Sequence, residues 1–198
     1  MNLPNALTIF RVILTPIFIY LLFNSSMYSN LYALIIFILA SVTDAFDGYY
    51  ARKYNIETEF GNFLDPLADK ILVSSAFISF YLLDLIKLWM VVVILSRDFF
   101  ITCLRIVMKK NGQSLKTSRI AKSKTAVQLI LIIFILIFLA VEKMEASMFS
   151  LFGNIILEYN IVYNATFIVS IFTFYTGFRY FQNNYDIIKK IVVNENSN

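Results

Sequence analysis

The sequence contains no histidine, and this absence narrows the chemistry open to the protein. Histidine is the commonest general base near neutral pH and the commonest ligand of transition metals. A single cysteine, Cys103, also excludes an internal disulfide bond. Acid–base chemistry must therefore fall to aspartate, glutamate, lysine, tyrosine or bound water, and a metal site has to be built from oxygen ligands.

Glycine and proline are also scarce, with five and three residues in a chain of 198. Because these residues interrupt helices most strongly, their scarcity predicts long continuous helices. Hydrophobic residues make up 59% of the chain, and the mean hydropathy is +0.72. We therefore expect an all-α integral membrane protein, with one domain over residues 1–198 and no room for a second.

The apolar runs predict six transmembrane helices, each close to the length that crosses about 30 Å of hydrocarbon. Their approximate ranges are 6–23, 30–52, 64–84, 88–109, 122–142 and 161–183. The segment 144–160 is apolar but interrupted, and it is either a short interfacial helix or part of the sixth span. Lysine and arginine are concentrated after spans two and four and in the C-terminal tail. Since positive loops face the cytoplasm, we expect both termini there, with a polar cavity open to the same side.

Four aspartates lie where spans two and three meet this cytoplasmic side. Asp44 and Asp47 are three residues apart near the end of one predicted helix, and Asp65 and Asp69 are four apart at the start of the next. Each pair therefore shares a helix face, and the short connection makes the two helices antiparallel neighbours. The four carboxylates can thus converge on one site.

Like charges at a membrane boundary repel one another and lose hydration, so converging carboxylates need a counterion. A site made of carboxylates alone selects a hard cation, Mg²⁺ or Mn²⁺, and four carboxylates are enough for two ions. The alternative is a set of solvated charges paired with the nearby basic residues Arg52, Lys53 and Lys70.

The stretch 44–69 resembles the signature of the CDP-alcohol phosphatidyltransferases, D-x2-D-G-x2-A-R-x8-G-x3-D-x3-D. The specified positions are filled by Asp44, Asp47, Gly48, Ala51, Arg52, Gly61, Asp65 and Asp69. Eight matches at fixed spacing are very rare by chance, and the six-span layout extends the resemblance over most of the chain. This family moves a phosphatidyl or other substituted phosphate group from a CDP-linked donor to an alcohol and releases CMP.

The resemblance implies roles for the matched residues. Asp44, Asp47 and Asp65 would bind the metals, while Asp69 would contact one metal and act as general base on the acceptor hydroxyl. The cytidine nucleotide site would be shaped by Asp47, Gly48, Ala51, Arg52 and Gly61. The family also implies a homodimer. The residues alone indicate a carboxylate site for two metals, and the cytidine nucleotide follows from the resemblance only.

A further resemblance, to the bacterial phosphatidylglycerophosphate synthases, concerns the opening segment. Asn5, Thr8 and Arg11 fall on one side of the first helix. In these synthases the corresponding Asn, Thr and Arg are expected to lie near the nucleotide. The alternative is ordinary helix capping by Asn5 and an interfacial Arg11 that reaches towards the lipid headgroups.

Span four places charges about ten residues into an apolar helix, which is a functional-site hypothesis in itself. Arg97 and Asp98 are adjacent, and Asp98, Thr102 and Arg105 form a polar stripe. The synthases usually have Arg-Glu at this point, so the shorter Asp98 departs from their pattern. The alternative is a structural pairing of Asp98 with Arg97 or Arg105.

The start of span five resembles the G-K-x-K-T-x-x-Q element of the same synthases. The matched residues are Lys122, Lys124, Thr125 and Gln128, while Ala121 replaces glycine. Lys122, Lys124 and Arg105 would hold a phosphate monoester, because several cations suit a doubly charged group. Arg179 is a further candidate for this acceptor pocket. The alternative for the lysines is positive-inside topology with headgroup contacts.

Together these features favour a multi-pass enzyme of the cell inner membrane, with its site facing the cytoplasm. It would transfer the phosphatidyl group of CDP-diacylglycerol to glycerol 3-phosphate, an acceptor that needs a basic pocket. The same chemistry with another acceptor is the alternative, as in cardiolipin, phosphatidylserine or phosphatidylinositol phosphate synthases. A divalent-cation transporter is an alternative of another class, but it would place carboxylates near the membrane midplane rather than at one face.

Overall fold

The computed structural model describes residues 3–54, 59–110, 119–144 and 150–185. Some side chains within these helices lie outside the description, namely 3–7, 44–54, 59–67, 69, 107, 109–110, 119–122 and 150–152. The regular structure of the described ranges is entirely α-helical, which confirms the predicted fold class there. The helices are α1 (Leu3–Phe23), α2 (Ser29–Tyr54), α3 (Glu59–Leu82), α4 (Leu88–Lys110), α5 (Arg119–Lys143), α6 (Ser150–Glu158) and α7 (Ile161–Asn183).

Two of the described segments are long and apolar enough to cross a membrane, judged by length and composition. They are Ser123–Lys143 within α5 and Ile161–Asn183, which is α7. Shorter apolar stretches lie at Thr8–Phe23, Ser29–Thr43 and Lys70–Leu82. The helical, apolar fold therefore agrees with membrane association, while the count of six spans and the cytoplasmic position of the termini stay predictions.

The segment before α7 forms a helix of its own, so it is not a continuation of the sixth span. α6 ends at Glu158, and Asn160 adopts the left-handed conformation with φ 49°. Asparagine tolerates this conformation better than most residues. Its amide donates to the carbonyl of Leu157 at 3.1 Å, which closes α6 before α7 begins at Ile161.

The first two helices pack closely through small residues on α2. Ala33 and Ala40 are fully buried, and Phe37 lies between them on the same side of the helix. Small side chains let helix backbones approach, and aromatic rings then fill the space between them. The ring of Phe37 lies 5.6 Å from that of Phe18 on α1, measured between centroids. α1 also packs on α3, so it supports both helices that carry the aspartate signature.

The remaining long helices are organised around α7, on which both α4 and α5 pack. The outward side of α7 is strongly apolar, and Ile168 and Phe174 are each 65% exposed. Bare apolar side chains of this size are unfavourable in water and favourable in hydrocarbon. The arrangement therefore places polar residues between α4, α5 and α7 inside an apolar exterior.

Candidate functional site

The aspartate signature lies across the end of α2 and the first half of α3. Both stretches are helical, as the spacing of the aspartates predicts, and the two helices contact one another. The side chains of the predicted metal and nucleotide residues in this signature lie outside the described part of the structure: Asp44, Asp47, Gly48, Ala51, Arg52, Gly61, Asp65 and Asp69. The same holds for the side chains of Asn5 and Lys122. The metal and nucleotide sites therefore stay predictions.

Thr8 and Arg11 are both buried inside the helix bundle, each with 1% of its surface exposed. The hydroxyl of Thr15 donates to the carbonyl oxygen of Arg11 at 3.0 Å, one turn along α1. A buried guanidinium cannot reach the lipid headgroups, so the interfacial alternative for Arg11 is wrong. The predicted nucleotide residue Thr8 lies one turn before Arg11 on the same interior side of α1.

A buried ion pair joins α4 to α5. The ammonium group of Lys124 pairs with Oδ1 of Asp98, and the two residues are only 1% and 4% exposed. Nη1 of Arg97 donates to the same oxygen at 3.1 Å. The structure therefore contains the pairing of Asp98 with Arg97 that the sequence offered as the structural alternative, whereas the pairing with Lys124 was not foreseen from the sequence. Buried charges persist when they are paired in this way.

The two oxygen atoms of the Asp98 carboxylate have different surroundings. Both cations contact Oδ1, whereas Oδ2 is buried and has no hydrogen-bond partner in the described structure. A cleft of about 370 Å³ adjoins this carboxylate, a volume suited to a small ligand. Its lining residues are Lys70, Ser74, Leu95, Ser96, Asp98 and Phe99. Lys70 directly follows Asp69 in α3, so the cleft lies between the signature helix and the ion pair.

Basic side chains lie on more than one side of this cleft. Lys70 lines the cleft, and Arg97 and Lys124 both pair with Asp98, which also lines it.

The two arginines predicted for the acceptor pocket have different surroundings. Arg105 is exposed on α4, its Nε donates to the hydroxyl of Tyr180 at 3.3 Å, and its guanidinium lies 5.6 Å from that ring. Tyr180 is itself buried, so it fixes Arg105 against α7. Arg179 is exposed and donates to the hydroxyl of Tyr175 on its own helix at 3.1 Å. Tyr180 was not identified from the sequence, because its partner is 75 residues away.

Gln128, the last matched residue of the G-K-x-K-T-x-x-Q element, connects α5 to α7. Gln128 is 2% exposed, and its amide nitrogen lies 3.4 Å from the hydroxyl of Thr173. Thr173 is fully buried on α7. This contact fixes the N-terminal half of α5, one turn beyond Lys124, and so supports the position of the buried ammonium group.

Comparison with known proteins places these features in a wider context. A family model described as CDP-alcohol phosphatidyltransferase matches residues 1–177. A Bacillus subtilis protein named CDP-diacylglycerol–glycerol-3-phosphate 3-phosphatidyltransferase is 37% identical over 201 residues, covering 95% of this chain and 97% of its own. A Rickettsia typhi protein of the same name is 37% identical over 182 residues, covering 91% and 96%. An Escherichia coli protein of that name is 38% identical over 141 residues, covering 68% and 76%.

Proposed function

The chain belongs to the CDP-alcohol phosphatidyltransferase family, and from this premise we propose that it transfers the phosphatidyl group of CDP-diacylglycerol to glycerol 3-phosphate. The products are phosphatidylglycerophosphate and CMP. The observation that carries the proposal is the similarity, over nearly the whole chain, to proteins named for this reaction. The cluster of buried cations around Asp98 supports a phosphorylated acceptor.

The aspartate signature would bind two divalent cations, Mg²⁺ or Mn²⁺. The donor set fits them, because it consists of carboxylates on two contacting helices in a chain without histidine. The ligands would be Asp44, Asp47, Asp65 and Asp69. The cations held by these residues would offset the charge of a pyrophosphate, which would favour departure of the nucleotide.

The protein's own residues would orient the reactants and move one proton. Asp69 accepts the proton of the acceptor hydroxyl as its oxygen attacks the phosphatidyl phosphorus. The bond from this phosphorus to the CMP oxygen breaks, and CMP leaves with the electron pair. The nucleotide would be held by Asn5, Thr8, Asp47, Gly48, Ala51, Arg52 and Gly61. Holding both substrates in line removes much of the entropic barrier to the reaction.

The acceptor phosphate would be bound by Arg105, Lys122, Lys124 and Arg179. Lys124 is the strongest of these candidates, because its side chain is buried and its ammonium group pairs with Asp98, which lines the cleft. An ammonium group can donate three hydrogen bonds, and Asp98 accepts one of them. Lys124 can therefore bind a phosphate while its own position stays fixed by Asp98.

The substrates also suit a membrane location. CDP-diacylglycerol keeps its acyl chains in the bilayer, and glycerol 3-phosphate arrives from water, so the reaction belongs at the boundary between them. We place the enzyme as a multi-pass protein of the cell inner membrane, with one domain over 1–198, an active site facing the cytoplasm, and a homodimeric assembly.

An acceptor screen tests this function. The purified protein in detergent receives CDP-diacylglycerol and Mg²⁺, and CMP release is followed with one acceptor at a time. Glycerol 3-phosphate should support release, whereas L-serine, myo-inositol 1-phosphate and phosphatidylglycerol should not. Release with one of these others alone would keep the family chemistry and reject the acceptor proposed here.

A further inference from the structure

The side chain of Arg97 on α4 occupies the space left by the missing side chain of Gly177 on α7. A Cβ atom placed on residue 177 would lie 2.8 Å from Cγ of Arg97, 3.6 Å from its Nε and 3.8 Å from its Cδ. Carbon atoms prefer separations of about 3.5–4.0 Å, so the first of these distances is a clash. Because Cγ follows the first side-chain torsion, relief requires another rotamer of Arg97 or a shift of α4.

The packing of Arg97 against Gly177 also explains the unusual ion pair between Arg97 and Asp98. Neighbouring residues on a helix point in different directions, so Arg97 and Asp98 would not normally face one another. Here the arginine side chain lies against α7, and its Nη1 reaches Oδ1 of Asp98 at 3.1 Å. Only 13% of the Arg97 side chain is exposed, so the packing on Gly177 holds the guanidinium in place.

A chain of contacts continues from Asp98 to the acceptor pocket. The oxygen that accepts from Arg97 also pairs with the ammonium group of Lys124 on α5. Both α4 and α5 pack on α7, the helix that carries Gly177. A shift of Arg97 would therefore redistribute the charge on Asp98 and move the partner that fixes Lys124.

We propose that Gly177 and Arg97 are positioning residues that act through Asp98 to set where Lys124 presents its ammonium group. Neither residue needs to touch the substrate. The inference rests on the proposed function, specifically on Lys124 as a ligand of the acceptor's phosphate monoester. It adds to that function a specificity determinant on α7, which lies outside both the aspartate signature and the G-K-x-K-T-x-x-Q element.

The first test is the Gly177→Ala variant, assayed in detergent with glycerol 3-phosphate and CDP-diacylglycerol varied separately. We expect the KM for glycerol 3-phosphate to rise about tenfold, as for a misplaced charge-assisted contact, and the KM for CDP-diacylglycerol to stay within about twofold. Gly153→Ala is the matched control, because a Cβ there would meet nothing within 4 Å. It should leave both KM values unchanged.

A double-mutant cycle distinguishes the contact between Arg97 and Gly177 from a general effect on packing. Arg97→Ala removes the atoms that clash with a side chain at residue 177, so Gly177→Ala should add no further effect in that background. If Gly177→Ala alone fails to fold but the double variant accumulates like Arg97→Ala, the steric contact between Arg97 and Gly177 is supported. The KM values of Arg97→Ala for glycerol 3-phosphate and for CDP-diacylglycerol, measured separately, then test whether this contact acts on Lys124.

The outcomes keep the inference distinct from the proposed function. Additive effects of the two substitutions, or an equal rise of both KM values, would overturn the positioning role. Absence of CMP release by the wild-type protein with glycerol 3-phosphate would instead reject the proposed function. A wild-type enzyme that uses glycerol 3-phosphate, with Gly177→Ala indistinguishable from it, would reject the inference alone.

Discussion

Removing the charge of Lys124 while keeping its volume should destabilise the protein, because Asp98 would remain buried without its closest partner. The two residues are 1% and 4% exposed, so water cannot replace the lost contact. Breaking a buried ion pair from one side costs about 3–5 kcal/mol. Arg97 still donates to the carboxylate at 3.1 Å, so we expect the lower end of this range, about 3 kcal/mol, for Lys124→Met.

The cost should depend on Asp98, which a double-mutant cycle can show. Asp98→Asn should also destabilise, because Lys124 and Arg97 lose their shared counterion. Once both charges are gone, the penalty should fall short of the sum of the single penalties by about 2 kcal/mol. Thermal and denaturant unfolding of the purified protein in detergent, followed by its helical signal, measures these differences.

Lys87→Met supplies the control, since Lys87 is exposed in the turn between α3 and α4. A substitution there should change the free energy of unfolding by no more than about 0.5 kcal/mol. The reasoning would be refuted if the effects of Lys124→Met and Asp98→Asn were additive to within about 0.5 kcal/mol. Lys124 and Asp98 would then contribute independently, and the ion pair would not be a unit.

Three further predictions concern catalysis. Asp69→Asn should abolish turnover while largely sparing CDP-diacylglycerol binding, because it removes the proposed base; activity within about tenfold of wild type would contradict that role. Lys124→Ala should raise the KM for glycerol 3-phosphate far more than that for CDP-diacylglycerol, and an equal rise in steady-state assays would point to a nucleotide or structural role. Chelation by EDTA should stop CMP release and added Mg²⁺ or Mn²⁺ should restore it, whereas full activity in EDTA would argue against a carboxylate metal site.

The helices could be predicted closely because long apolar runs with little glycine or proline leave few other structures. The main difference lies at α3, which begins at Glu59, whereas the apolar run suggested 64. Hydropathy marks where a helix enters hydrocarbon, not where its hydrogen bonding begins, so it misses a polar first turn. The separate α6 depended on the backbone conformation of Asn160, which composition indicates only as an interruption.

Candidate site residues can be recognised from the sequence where they lie close together in it, whereas contacts between helices cannot. The aspartate signature lies within 44–69, so its spacing can be recognised directly. The pairing of Asp98 with Lys124 depends on how α4 and α5 pack on α7, and no local period encodes that. Gly177 shows the same limit, since a glycine within a helix indicates only a lower helix propensity until its neighbour is known.

The central claim is that the phosphatidyl group is transferred to glycerol 3-phosphate, and one measurement tests it most directly. Isotope-labelled glycerol 3-phosphate is incubated with the purified protein, CDP-diacylglycerol and Mg²⁺, and the label in the lipid phase is counted together with the CMP released. We predict one label incorporated for each CMP, dependent on CDP-diacylglycerol and absent with Asp69→Asn. CMP release without label in the lipid phase would contradict the account, because the phosphatidyl group would then have gone to water or to another acceptor.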